Sequence, residues 1–118
     1  MQDFRDLKVW AKAHQVVLDV YRATASFPRA ELYGLPSQLR RSAVSVPSNI
    51  AEGCGRSQDD FGRFVQIAAG SASELEYQLL LAKDLDLLRI DTFHALSTKT
   101  IEVKRMLAGL LASLTADG

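Results

Sequence analysis

The chain is poor in the residues that most often carry chemistry. In 118 residues it holds one cysteine, Cys54, and two histidines, His14 and His94. A single cysteine excludes a disulfide within the chain and fits a reduced, cytoplasmic compartment. Two histidines fall short of a di-metal bundle, which wants carboxylates on all four helices and two Glu-x-x-His pairs. Asp91-Thr-Phe-His94 has metal-ligand spacing, but it sits at a helix start and has no twin. Net charge is missing too, with 14 basic side chains against 14 acidic, whereas a dedicated nucleic-acid binder is usually basic. The balance is uneven, because residues 1–56 carry 8 basic and 5 acidic side chains while the remainder carries 6 and 9. No apolar run approaches the roughly 18 residues of a membrane span. The start, MQDFRDLKVW, is charged where a signal peptide would be apolar. There is no strand-like alternation, no low-complexity stretch and no repeat. The expectation is a single domain over residues 1–118, cytoplasmic, without metal or cofactor.

What the chain does have is helical periodicity. Leu7, Trp10, His14, Val17, Tyr21 and Thr24 recur at three and four, predicting a first helix from about Leu7 to Ala25 with Asp6 as its N-cap. On this reading His14 is a core histidine. Phe27-Pro28 ends the helix, and Leu32 and Tyr33 tuck onto the bundle end. A second helix starts near Leu35, with Pro36 in its first turn. Pro47 removes the bond to the Ala43 carbonyl and predicts a kink rather than a break, because the apolar spacing continues to Ile50, with Ser45 or Ser48 rescuing the freed group. Gly53 and Gly55 end this helix through left-handed cap geometry. Ser57 caps a third helix, Gln58 to Leu85, whose seam includes Phe61, Phe64, Ala68, Ala72, Leu75, Leu79, Ala82 and Leu85. Its small residues, Ala68 to Ser73, predict close packing within the chain. A fourth helix, Thr92 to Leu114, carries Phe93, Leu96, Thr100, Val103, Leu107, Leu110 and Leu114 at strict three-four spacing. Short connections make the fold class all-α, an antiparallel up-down-up-down four-helix bundle.

The second helix is the unusual one. Beside its apolar stripe of Leu35, Leu39, Ala43, Val46 and Ile50 runs an ordered polar stripe of Gln38, Arg41, Ser45, Asn49 and Glu52. Two chemistries compete for it. Arg40, Arg41 and Arg56 suit phosphate, as in RNA or DNA binding. Alternatively Arg41, Glu52, Ser45 and Asn49 form a hydrogen-bonded network that sets helix packing or subunit contact, with Arg41 paired to Glu52; this is the preferred reading. Cys54, between two glycines and near Arg56, lacks a sequence-adjacent base and reads as an inert thiol. Gly53-Cys54-Gly55 lacks the preceding strand and following lysine of a phosphate loop. Leu80, Leu81, Leu87, Leu88, Ile90, Ile101, Met106 and Leu111 supply apolar surface beyond the core stripes, which predicts self-association.

The same residues carry a resemblance. The opening FRDLKVWAKAH, then LYGL-x-SQLRR, PSNIAEG-x-GR, Phe61, Arg63-Phe64, Ile67 to Ser71 and Glu74-Leu-Glu76 resemble the four-helix-bundle family encoded in intervening sequences of bacterial 23S rRNA genes. It is similar as well to accessory proteins of diversity-generating retroelements. The resemblance implies a bundle that assembles into a ring, typically a homopentamer, with no established activity and with nucleic-acid binding in the retroelement relatives. This chain is neutral where those relatives are strongly basic. The function expected is therefore a non-catalytic, ring-forming interaction module that acts as a protein-binding scaffold. The alternative is RNA or DNA binding through the second-helix arginines.

Overall fold

The structure is a computed structural model that describes residues 2–28 and 34–116. The expected connection with Leu32 and Tyr33 lies outside those residues. A short 3-10 turn, Phe4–Asp6, leads into α1 (Lys8–Thr24), α2 (Leu35–Cys54), α3 (Gln58–Asp84) and α4 (Ile90–Ala116). The four form a helix bundle 47 Å long and about 20 Å across, within extents of 47 × 21 × 19 Å. Each helix packs on its sequence neighbour and α4 closes on α1. Among the described residues no helix is long and apolar enough to cross a membrane.

The core follows the predicted seams of α2, α3 and α4. Leu39, Ile50, Ala68, Ala72, Leu75, Leu79, Ala82, Val103 and Leu107 are all buried, and Val65, which the predicted seam left out, is buried with them while Phe64 is half-buried. Each large aliphatic among them contributes about 1.5–3 kcal/mol by leaving water. On α1 the buried stripe runs one position before the expected one, except at Thr24, which is buried as expected. The buried residues are Val9, Ala13, Val16, Val20 and Thr24, while His14 is exposed and stacks on Trp10, ring centroids 5.1 Å apart. Both stripes share the helical period, so periodicity alone does not choose between them. The interior beside α1 takes Val- and Ala-sized groups; the rings stay at its edge. His14 is therefore a surface residue and not a core histidine.

The helix ends differ from expectation in three places. Asp3, not Asp6, caps the first turn: its carboxylate accepts from the Arg5 amide at 3.0 Å, and α1 itself has no side-chain cap. The Arg5 side chain, followed by its backbone amide, holds the Asp3 carboxyl below the usual carboxylate range. No glycine among the described residues has positive φ, and Gly55 caps α2 at φ −86°. Gly53 answers a different need, because a β-carbon there would lie 2.9 Å from Phe61 Cδ1 and 3.0 Å from Phe64 Cβ. The left-handed residue is Asp86, φ 60°. Its amide donates to the Lys83 carbonyl and the Leu87 amide to the Ala82 carbonyl, the paired bonds of a Schellman ending. Leu85 consequently turns outward and is exposed.

Two readings agree with the structure, the Ser57 cap of α3 and the continuity of α2 past Pro47. The Ser57 hydroxyl accepts from the Asp60 amide at 3.3 Å, and α2 runs unbroken from Leu35 through a buried Pro47 to Cys54. The Ser45 hydroxyl is not turned back on a freed carbonyl; it faces α3, as described next.

Candidate interaction surface

The geometry of α2 separates two neighbouring arginines. Consecutive residues on a helix point about 100° apart. Arg40 turns to α1, where its Nε donates to Thr24 Oγ1 at 2.8 Å and Nη2 to the Tyr21 carbonyl at 3.3 Å. Its guanidinium lies over the Tyr21 ring, 4.5 Å from the centroid. Arg41 is exposed and forms no hydrogen bond or ion pair among the described residues. The expected Arg41–Glu52 pair is absent, and Glu52 pairs instead with Arg56, one helical turn on. Arg56 and Arg63 both lie against the Phe64 ring. Arg63 also approaches Asp60 at 3.7 Å.

The rest of the polar stripe does form a network, but between α2 and α3. Ser42 Oγ donates to Glu74 Oε1 at 2.7 Å, and the Ser45 and Ser71 hydroxyls lie 2.7 Å apart. Asn49 Nδ2 donates to the Ser45 carbonyl at 2.7 Å and to its hydroxyl at 3.0 Å. These pairs set the register: residue numbers rise along α2 as they fall along α3. Ser42, Ser71 and Glu74 are members that the α2 stripe by itself does not identify. The three-residue step from Ser71 to Glu74, matching Ser42 to Ser45, was the available signal. Gln78 is buried beyond them, its Oε1 without a hydrogen-bond partner.

Charge is distributed unevenly around the bundle. Among the described residues the ion pairs that join different helices are Lys12–Glu102, Lys99–Asp19 and Lys104–Glu76, and all three involve α4. The two sides flanking α2 carry none among the described residues. They present side chains of another kind: Tyr21 and Val44 on the α1/α2 side, and Ile67 and Tyr77, the latter 61% exposed, on α3. Trp10 and His14, from the expected core stripe, extend the first side. Of the residues expected to supply surplus apolar surface, only Leu80 and Ile90 are largely exposed. Leu88 is buried, and Leu81, Leu87, Ile101, Met106 and Leu111 are half-buried, all of these five but Ile101 packing against the core.

The family model described as 23S rRNA-intervening sequence protein matches residues 5–109. The chain belongs to that family. The matched span contains α1, α2 and α3 whole, with the α2/α3 seam and every arginine discussed above. Among solved structures, the fold is similar to a protein with unknown function from the S23 ribosomal protein family of Bacteroides thetaiotaomicron. That likeness has a TM-score of 0.79 at 21% identity, over 87% of this chain and 97% of the other. At that identity it speaks to the fold alone. No curated protein matches the chain significantly.

For this member of the 23S rRNA-intervening sequence family, the chemistry at the α2 end is subdued. Cys54 is buried, and burial, followed by the charge of Asp3, pushes its thiol pKa up. A protonated, enclosed thiol is a weak nucleophile. Among the described residues no three His, Cys, Asp or Glu side chains gather as a metal-binding group.

Proposed function

We propose that this chain is a non-catalytic helical interaction module that assembles into a ring and offers the ring as a scaffold for a protein partner. Five copies is the size that its family resemblance implies. The observation that carries this reading is the contrast between the sides of the bundle. Among the described residues the flanks of α4 are bridged by ion pairs suited to water, whereas the flanks of α2 expose Tyr21, Val44, Ile67 and Tyr77 without one. Exposed aromatic and aliphatic side chains without bridging charge are the composition of a contact surface.

The arginines favour this reading over nucleic-acid binding. Arg40 is held by Thr24 and Tyr21, and Arg56 by Glu52. Phosphate binding through these residues would first have to break those contacts. Light scattering on the purified protein at micromolar concentration is expected to give an oligomer, and a monomer would overturn the ring. Capture of a defined protein partner should survive nuclease treatment. If the protein instead shifts RNA, with affinity falling steeply as salt rises, the arginine reading replaces the scaffold.

A further inference from the structure

The sides of the bundle that flank α2 also show how one copy would fit the next, an inference that rests on the ring reading above. Along α2, Arg40 is engaged with α1 and Glu52 with Arg56. Along the middle of α3, Glu76 is paired with Lys104 on the far side. Arg41 on α2 and Glu74 on α3 are then left without an ionic partner among the described residues. Both are exposed. Glu74 is oriented by the Ser42 hydroxyl at 2.7 Å, so its carboxylate is fixed in place while its charge remains unanswered.

The heights of these residues along the bundle agree. Ser42 bonds Glu74, so its neighbour Arg41 lies at the level of Glu74. Ser45 meets Ser71, so Val44 lies at the level of Gly70. Rotation about a ring axis parallel to the bundle leaves height unchanged. Groups that meet across such a cyclic contact must therefore stand at equal height on their two sides, and these do. Adjacent sides of a four-helix bundle look out at roughly a right angle, so a head-to-tail contact between them turns and closes instead of running on as a filament.

We infer that in the assembled protein the outer face of α2, with its α1 side, docks in one copy on the α3 surface beside α2 of the next, Arg41 pairing with Glu74 of the neighbouring copy and Val44 seating over Gly70 of that copy. Gly70 suits this place. A β-carbon there would meet no atom of its own chain within 4 Å, so the bare backbone is not needed for packing inside the bundle. The cost of an interior helical glycine, roughly 1 kcal/mol relative to alanine, is then accounted for by the approach of a second copy. The Tyr21 ring, held under Arg40 at the rim of the docking side, extends the same contact.

Charge reversal tests the pairing. Arg41→Glu and Glu74→Arg are made singly and together, and oligomeric state is read by light scattering and native mass spectrometry. Each single reversal is expected to weaken assembly by about tenfold or more, because like charges then face each other. The double variant is expected to assemble again. Gly70→Arg is the independent check: its circular-dichroism spectrum should match the parent, and it should be monomeric. If the parent assembles and all of these variants assemble equally well, the pairing is wrong while the ring stands. If the parent is itself monomeric, the ring reading fails and the pairing with it.

Discussion

At the scale of single residues, the adjacent arginines give the clearest contrast. Arg40 makes two hydrogen bonds and a ring contact within the chain, whereas Arg41 makes none among the described residues. Arg40→Ala would leave a buried Thr24 hydroxyl short of one donor and is expected to destabilise the folded chain by about 1–3 kcal/mol. Arg41→Ala should lie within about 0.5 kcal/mol of the parent. Urea unfolding at dilutions that dissociate any assembly compares the two. This reverses the order expected from the polar stripe, in which Arg41 was the structural residue. Equal stability of the two variants would mean that the Arg40 contacts contribute nothing measurable. Cys54 gives a second residue-scale test. Its thiol pKa lies higher in the folded chain than in the unfolded one, so the group favours folding at pH values below the unfolded thiol's range. That contribution is lost as pH climbs through the folded value. At neutral pH a thiol reagent should label Cys54 slowly in the native protein and rapidly in denaturant.

At the scale of elements, the tests lie at helix ends. Asp86 holds a left-handed conformation in the Schellman ending of α3. A side chain there costs about 1–2 kcal/mol that glycine does not incur, so Asp86→Gly is expected to raise stability by about 1 kcal/mol. The α2 end behaves in the opposite way. Gly53 faces Phe61 and Phe64 too closely for a β-carbon, while Gly55 has ordinary space, the Glu52 carbonyl lying 3.7 Å from the position such an atom would take. Gly53→Ala should therefore cost about 1–3 kcal/mol through overpacking, and Gly55→Ala should be nearly silent. Thermal melts of the three variants check this pattern. Equal effects at 53 and 55 would show that α2 and α3 part more easily than their contact suggests. Elements were the most legible level of the sequence, since the starts of α2 and α3 and the capping serine of α3 are local signals. Those signals do not tell a glycine that turns the chain from one that admits a neighbouring ring, because both sit at a helix end.

At the scale of the whole molecule, stability and assembly rest on different surfaces. Leu79 is 1% exposed, and Leu79→Ala is expected to lose about 2–5 kcal/mol in urea unfolding. Tyr77, one of the most exposed large hydrophobic residues of α3, should behave otherwise. Tyr77→Ser is expected to stay within about 1 kcal/mol for the dissociated chain while reducing the assembled fraction, as read by sedimentation. A Tyr77→Ser protein that assembles as the parent does would remove α3 from the contact. The α4 ion pairs are exposed or half-exposed, and such pairs contribute about 0.2–1 kcal/mol each. Their distribution around the bundle therefore says more about which sides face water than about what holds the fold.

The sequence by itself determined four helices, the buried stripes of α2, α3 and α4, and the polar stripe of α2. All of these depend on the 3.6-residue repeat and on capping chemistry within a few positions along the chain. Tertiary structure decided which of two periodic stripes on α1 is buried: Val9, Ala13, Val16 and Val20 enter the interior, while Trp10 packs at its edge and His14 stays outside. It decided also that Glu52 turns to Arg56, that Ser45 turns to Ser71, and that Arg40, not Arg41, is held. A step of one residue swings a side chain about 100° around a helix, and only the position of the neighbouring helix determines whether that swing ends on a partner or in water.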